Sequence, residues 1–157
     1  MKRAALVALL LTSLLLGACS TGPVRRVSEP SAGIQQLSVR ADGSWSLDLR
    51  LDNFSNVPMR FDAVDLAMTI AGQPPTTLRT SPGFTIGPES ADVATLQLVP
   101  TAGARIAIAD ALARGAAIAY ELEGTITATP ENGKQRVFEL GRDNALAPVP
   151  GLPGVLR

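Results

Sequence analysis

From Ile34 onward the dominant period of the chain is two. In the stretch from Trp45 to Asp52 the apolar set Trp45, Leu47, Leu49 and Leu51 alternates with Ser46, Asp48, Arg50 and Asp52. That is the pattern of a strand with one packed face and one wet face. Val64, Leu66, Met68 and Ile70 repeat it against Asp65, Ala67 and Thr69, and Ile118, Tyr120, Leu122 and Ile126 repeat it against Glu121, Glu123, Thr125 and Thr127. Three half-buried strands of this kind predict antiparallel sheets packed face to face.

The breaks between these runs carry turn chemistry. Asp42-Gly43 separates residues 34–40 from the Trp45 strand, and Asn132-Gly133 separates the Tyr120 strand from the run 135–140; both dipeptides accept positive φ and favour hairpins. Shorter strands fit at Thr76 to Thr80, Phe84 to Ile86 and Asp92 to Val99, punctuated by Gly- and Pro-containing stretches. The expected fold is mainly β, a seven-stranded antiparallel immunoglobulin- or fibronectin-III-like sandwich. One segment departs from the period of two: residues 101–115 are alanine-rich, place Ile108 four residues before Leu112, and end in Arg114 and Gly115. This predicts one short helix over about residues 102–114, with a cation in its last turn and a glycine stop. Its apolar face is small, so it is expected to pack over one end of the sandwich rather than to bind a partner.

The first residues read differently. Lys2 and Arg3 precede an apolar run from Ala4 to Leu11 that resumes as Leu14, Leu15 and Leu16 and closes in Gly17-Ala18-Cys19. A charged start, a short apolar run and small residues at a cleavage point mark a secretory signal, and the run is too short to span a bilayer as a helix. The segment from Leu16 to Cys19 resembles a bacterial lipobox, which implies cleavage between Ala18 and Cys19, a diacylglycerol on the Cys19 sulfur and acylation of the new amino terminus. Ser20, where the enteric sorting pattern has an aspartate for inner-membrane retention, implies the outer membrane, facing the periplasm. Several acyl chains at about 0.8 kcal/mol per buried methylene make such an anchor stable. Residues 19–32 are small, polar and proline-containing and read as a tether. The domain is expected over 33–143, and 144–157 as a proline-rich C-terminal tail.

Composition narrows the chemistry. The chain has 157 residues with 14 basic and 14 acidic side chains; loss of residues 1–18 removes Lys2 and Arg3 and leaves a slight excess of acid. Nothing in that balance points to nucleic acid. Histidine is absent, which removes the commonest general base and metal ligand. Cys19 is the sole cysteine and, acylated, is no nucleophile. Asp62 with Asp65, and Glu121 with Glu123, are the only paired carboxylates that suggest hydrolysis or Ca²⁺ binding; the glutamates fall on an outward strand face and no oxygen-rich loop has ligand spacing. No glycine-rich phosphate loop occurs. The expectation is a non-enzyme with no cofactor and no metal.

Residues 51–73 carry a family resemblance. Asn53, Asn56, Pro58, Met59 and Phe61, followed by the alternating strand to Ile70 and then Gly72, resemble the signature of the type 2 late-embryogenesis-abundant proteins, also called the water stress and hypersensitive response (WHy) domain. Leu112, Gly115, Tyr120 and Gly124 resemble the family's later helix, Gly, Tyr and Gly pattern. Phe54 stands where a second Asn-Pro element is common in the plant pattern. The resemblance implies a seven-stranded sandwich with one helix and a role in desiccation and in protecting other proteins. The residues themselves are of the types a turn needs: Asn and Ser bond nearby backbone and tolerate turn conformations, and Pro58 fixes φ where a strand begins. The signature is therefore read first as structural.

Two function classes follow. The first is a non-catalytic protective module, monomeric and lipid-anchored in the cell envelope, acting on client proteins. The second is an accessory lipoprotein docking on an envelope complex through a sheet edge or through residues 147–157. An exposed apolar patch or open edge favours docking, and a uniformly polar surface favours a solvating protectant.

Overall fold

The structure is a computed structural model and describes residue 22 and residues 24–157. The expected signal peptide 1–18, the expected cleavage point at Ala18 and the expected acylation site Cys19 lie outside the described residues. The strands are β1 (Ser31–Val39), β2 (Trp45–Asn53), β3 (Met59–Ile70), β4 (Thr76–Thr80), β5 (Thr85–Ile86), β6 (Ser90–Leu98), β7 (Ile118–Pro130), β8 (Arg136–Leu146) and β9 (Val155–Leu156); the helix α1 (Ala102–Arg114) joins β6 to β7. One sheet has the order β6-β2-β1-β9, and the other β4-β3-β7-β8 with β5 also on β3. Every pairing is antiparallel. The β-sandwich and its single helix are those expected; β5 is the short strand expected at Phe84 to Ile86, and β9 is a short addition near the C-terminus.

The alternation does what its physics requires. Trp45, Leu47, Leu49 and Leu51 of β2 are fully buried and face Val64, Leu66, Met68, Ile70, Tyr120, Leu122 and Ile126 of the other sheet within one core cluster. Glu121 and Glu123 point outward and are exposed. A bulge between Phe61 and Ala63 explains how Met59 and Phe61, at odd positions, share the interior with Val64 and Leu66, at even ones. One extra residue reverses the side on which the following residues fall. A second bulge, between Ile34 and Gln36, does the same in β1. There the Ile34 N–H donates to the Tyr120 hydroxyl across the two sheets at 3.2 Å.

Helix α1 begins at Thr101, whose hydroxyl accepts from the Ala104 N–H at 3.3 Å. It ends at Gly115 with φ 63°, the left-handed cap that glycine adopts without a Cβ penalty. Its buried face is Ala104, Ile108 and Ala111, small enough to sit close over the ends of β3 and β7. At the centre of β7, Gly124 has φ 145° and lies so near β3 that a Cβ would stand 2.3 Å from the Asp65 carbonyl oxygen. Only glycine allows the two central strands to meet there.

Both chain ends differ from expectation. The segment read as tether reaches β1 at Ser31, Pro30 and Ala32 are buried, and Val27 packs against the core. The segment read as a tail also belongs to the sandwich. β8 runs on to the buried Leu146, and β9 pairs with Leu37 and Ser38 of β1 and buries Leu156. Ala147 and Arg157 exchange backbone hydrogen bonds at 2.6 and 2.9 Å. Two leucines and a short ladder hold a stretch whose proline and glycine content otherwise reads as linker. The sandwich thus extends beyond 33–143 in both directions, because its core is completed by residues from both flanks.

Candidate functional site

The signature residues converge on the turn from β2 to β3. Asn53 ends β2 fully buried, and its side chain closes the turn on itself and on the neighbouring strand. Nδ2 donates to the carbonyls of Val57 at 2.9 Å, Ile86 at 3.1 Å and Gly87 at 2.9 Å, while Oδ1 accepts from the Ser55 N–H at 2.9 Å. An amide is the one short side chain that offers both donors and an acceptor in this geometry. Met59 and Phe61 are fully buried below the turn, and the Pro58 carbonyl accepts from the Glu131 N–H at 2.8 Å. The turn therefore ties β2, β3, β5 and the β7–β8 connection together at one end of the sandwich.

The same turn grips the incoming chain. Asn56 Oδ1 accepts from the Arg26 N–H at 2.7 Å, and its Nδ2 donates to the Val24 carbonyl at 2.7 Å. The Asn56 N–H donates to the Arg26 carbonyl at 3.2 Å. Buried Ser55 accepts from the Ser28 N–H at 3.0 Å and donates to the Ser28 carbonyl at 3.3 Å through its hydroxyl. Arg26 reaches Glu89 at 3.0 Å, an exposed pair of small energetic weight. Glu89 is placed by its own N–H, which donates to the Ser55 carbonyl at 3.0 Å. Asn53 thus builds the turn, and Ser55 and Asn56 use it to hold residues 24–28. Sequence reading identified the turn and missed its occupant, because residues 24–28 show no period; the only local signal is Val27 beside Pro30.

The paired carboxylates do not form a common centre. Asp65 meets Arg79 at 2.9 Å on the outer face. Asp62 sits at the β3 bulge. The Thr129 hydroxyl donates to it at 2.6 Å, Gln135 Nε2 donates at 3.1 Å, and Arg60 lies at 3.2 Å. The Thr129 hydrogen bond, aided by Gln135 and Arg60, holds its carboxyl below the ordinary carboxylate range. Among the described residues no group of three or more His, Cys, Asp or Glu is arranged to hold a metal ion, and no helix is long and apolar enough to cross a membrane.

Beside a smaller concavity of about 260 Å³ at the turn end, lined by Pro58, Thr129 and Asn132 among others, two larger ones open on the described residues. One of about 520 Å³ lies on the side between β1 and β8, lined by Phe54, Tyr120, Arg142 and Asn144 among others; Arg142 spans it to donate to the Ser31 hydroxyl at 2.9 Å. The other, of about 630 Å³, is a groove between the end of α1 and the 148–154 loop, lined by Leu112, Pro148, Val149 and Leu152. Val99, Ile106 and Leu152 are exposed toward this end of the molecule. β8 is paired only with β7, and its Val137 is exposed.

No family model matches the chain, and no curated protein matches it. Among solved structures, the chain is similar to a candidate late embryogenesis abundant (LEA) protein at 12% identity, covering 98% of this chain and 87% of that one with a TM-score of 0.49. It is also similar to a protein from Arabidopsis thaliana at 12% identity, covering 83% and 87% with a TM-score of 0.46. A third is a protein from Archaeoglobus fulgidus at 14% identity, covering 79% and 98% with a TM-score of 0.45.

Proposed function

We propose that the chain is a non-catalytic, lipid-anchored protein of the bacterial cell envelope whose sandwich is a type 2 late-embryogenesis-abundant (WHy) domain protecting client proteins during desiccation or osmotic stress. The observation that carries this reading is the use of the signature residues. Asn53 and Asn56, with Ser55 between them, are bonded within the fold and to the chain arriving from the lipobox side, and none of them is left facing a cleft as a catalytic group would be. Acylation of Cys19 anchors the monomer at the outer membrane, facing the periplasm. The exposed Val99, Ile106 and Leu152 offer apolar contact to partly unfolded clients. Protection of this kind scales with the amount of protein and shows no turnover, since the domain acts by binding.

The test is aggregation of a labile enzyme during drying or freeze–thaw, with the soluble chain starting at Ser20 added at roughly stoichiometric ratios. An unrelated sandwich of similar size and charge serves as control, and a deletion strain is challenged by osmotic shock and drying. Protection beyond the control together with a stress-sensitive strain is the expected result. Equal protection by the control and an unaffected strain would sink the protectant reading. The second reading, docking on an envelope complex, is favoured by the one-sided pairing of β8 and its exposed Val137. It predicts that Val137→Lys abolishes co-purification with that complex.

A further inference from the structure

The bonds at the β2–β3 turn fix where an anchor meets the domain. Asn56 holds the Val24 carbonyl and the Arg26 N–H, each at 2.7 Å, so the chain moves with the sandwich from Val24 onward. Five peptide links separate Val24 from Cys19, a reach of about 17 Å when fully extended. The turn end and the α1 end of the molecule are set apart by the length of the strands, roughly 30 Å. A tether docked this way is too short to let the domain stand upright on its α1 end, which would lift Val24 by the length of the strands.

The turn end also carries side chains that suit that surface. Val24, 80% exposed, stands where Asn56 pins the incoming chain, and Phe54, 52% exposed, sits in the same turn and lines the turn-end part of the β1–β8 concavity. Nothing in the core needs Phe54, since Asn53 and Ser55 on either side of it are buried while it points away. Arg25 and Arg26 follow Val24, but Arg26 is paired with Glu89 and Arg25 donates to the Asn132 carbonyl at 3.4 Å. Apolar contact, rather than charge, is what this end offers a bilayer.

We propose that in the lipid-anchored protein the Asn53–Pro58 end is a membrane-contacting surface, with Phe54 and Val24 seated at headgroup level and the α1 end held outward toward soluble partners. The inference rests on acylation of Cys19. With that granted, the docked tether keeps the turn end beside the membrane and, with that end seated, the exposed apolar residues of the α1 end face the space where clients are met. Because the contact is apolar, it persists on zwitterionic lipid and at high salt.

The experiment uses the full lipidated chain in phosphatidylcholine vesicles. Cys19 is the only cysteine, so a second one introduced by Lys134→Cys, on the β7–β8 turn at the membrane end, or by Ile106→Cys, on α1, is the single free thiol. Each variant carries an environment-sensitive fluorophore, read against a headgroup-level lipid quencher and against aqueous iodide. The expected result is lipid quenching at 134 and iodide quenching at 106. Phe54→Ser lowers the lipid quenching at 134 about threefold, the loss expected from a half-exposed ring, and leaves vesicle flotation unchanged. Asn56→Ala, at an exposed position, evens out the two sites by freeing residues 24–26. Floating protein with equal quenching at both positions overturns the proposal and leaves the anchor standing, as does lipid quenching at 134 that ignores Phe54→Ser. Protein that does not float and whose intact mass carries no acyl chains overturns the acylation reading and this proposal with it.

Discussion

Replacing Asn53 probes the turn on which the whole account depends. Asn53→Ala removes an amide whose two N–H protons are shared among three carbonyls and whose oxygen accepts from the Ser55 N–H. The Val57 and Gly87 carbonyls are half-buried, so water replaces part of what they lose. The Ile86 carbonyl and the Ser55 N–H are buried, and a buried group without a partner costs about 1–3 kcal/mol. The combined loss is about 3 kcal/mol, a large part of the roughly 5–15 kcal/mol that holds a domain of this size. Asn53→Asp is worse near neutral pH, because it sets a carboxylate against three carbonyl oxygens. Burial and those oxygens hold that introduced carboxyl above its ordinary range. The folded variant then binds more protons than the unfolded chain, so its deficit is full at neutral pH and shrinks as the pH falls toward the ordinary carboxylate range. Urea unfolding of the soluble chain starting at Ser20 provides the assay. Its signal is Trp45, the only tryptophan, fully buried at the opposite end of β2. A loss below about 1 kcal/mol for Asn53→Ala, or an Asn53→Asp deficit that does not change with pH, would refute the reasoning.

Other expectations follow from the same contacts. A chain starting at Ser31 loses the Ser28 bonds to Ser55 and the packing of Val27, and should be less stable than the chain from Ser20 by about 2 kcal/mol in the same unfolding assay. Gly124→Ala drives a Cβ to 2.3 Å from the Asp65 carbonyl, and should cost about 3 kcal/mol or more, seen as a fall in melting temperature or loss of soluble protein. Asp62, lowered by Thr129, contributes stability that is present above the ordinary carboxylate range and is lost as the pH falls through its folded value; Asp62→Asn should flatten the acid limb of stability measured against pH.

The sandwich was legible wherever one face of a strand is wet. β2, the second half of β3 and β7 announce themselves by alternation, and Thr101 and Gly115 bracket a helix whose ends are set by capping chemistry. The bulge at Asp62 was less visible. Met59 and Phe61 lie out of phase with Val64 and Leu66, and a phase change inside one apolar run is its only trace in the sequence. The flanks were misread for a different reason. Residues 24–28 are held chiefly by hydrogen bonds from Ser55 and Asn56 to backbone groups, and backbone partners leave no mark in residue type. Residues 147–157 hang on Leu146 and Leu156, a spacing with no period, and the intervening prolines and glycines speak for a loop that is also part of the fold. In the candidate site Asn53 was legible as a turn residue, but its partners on β5, more than thirty residues away, were not.

The central claim is that a lipid anchor at Cys19 carries this sandwich. Its most direct test is the intact mass of the protein extracted from membranes of cells fed labelled palmitate, beside the Cys19→Ser variant. The account predicts a chain beginning at Cys19 that carries labelled acyl groups, and a variant that takes up no label and is either released to the soluble fraction or left unprocessed. Membrane-bound protein of unmodified mass, or label retained in the Cys19→Ser variant, would contradict it.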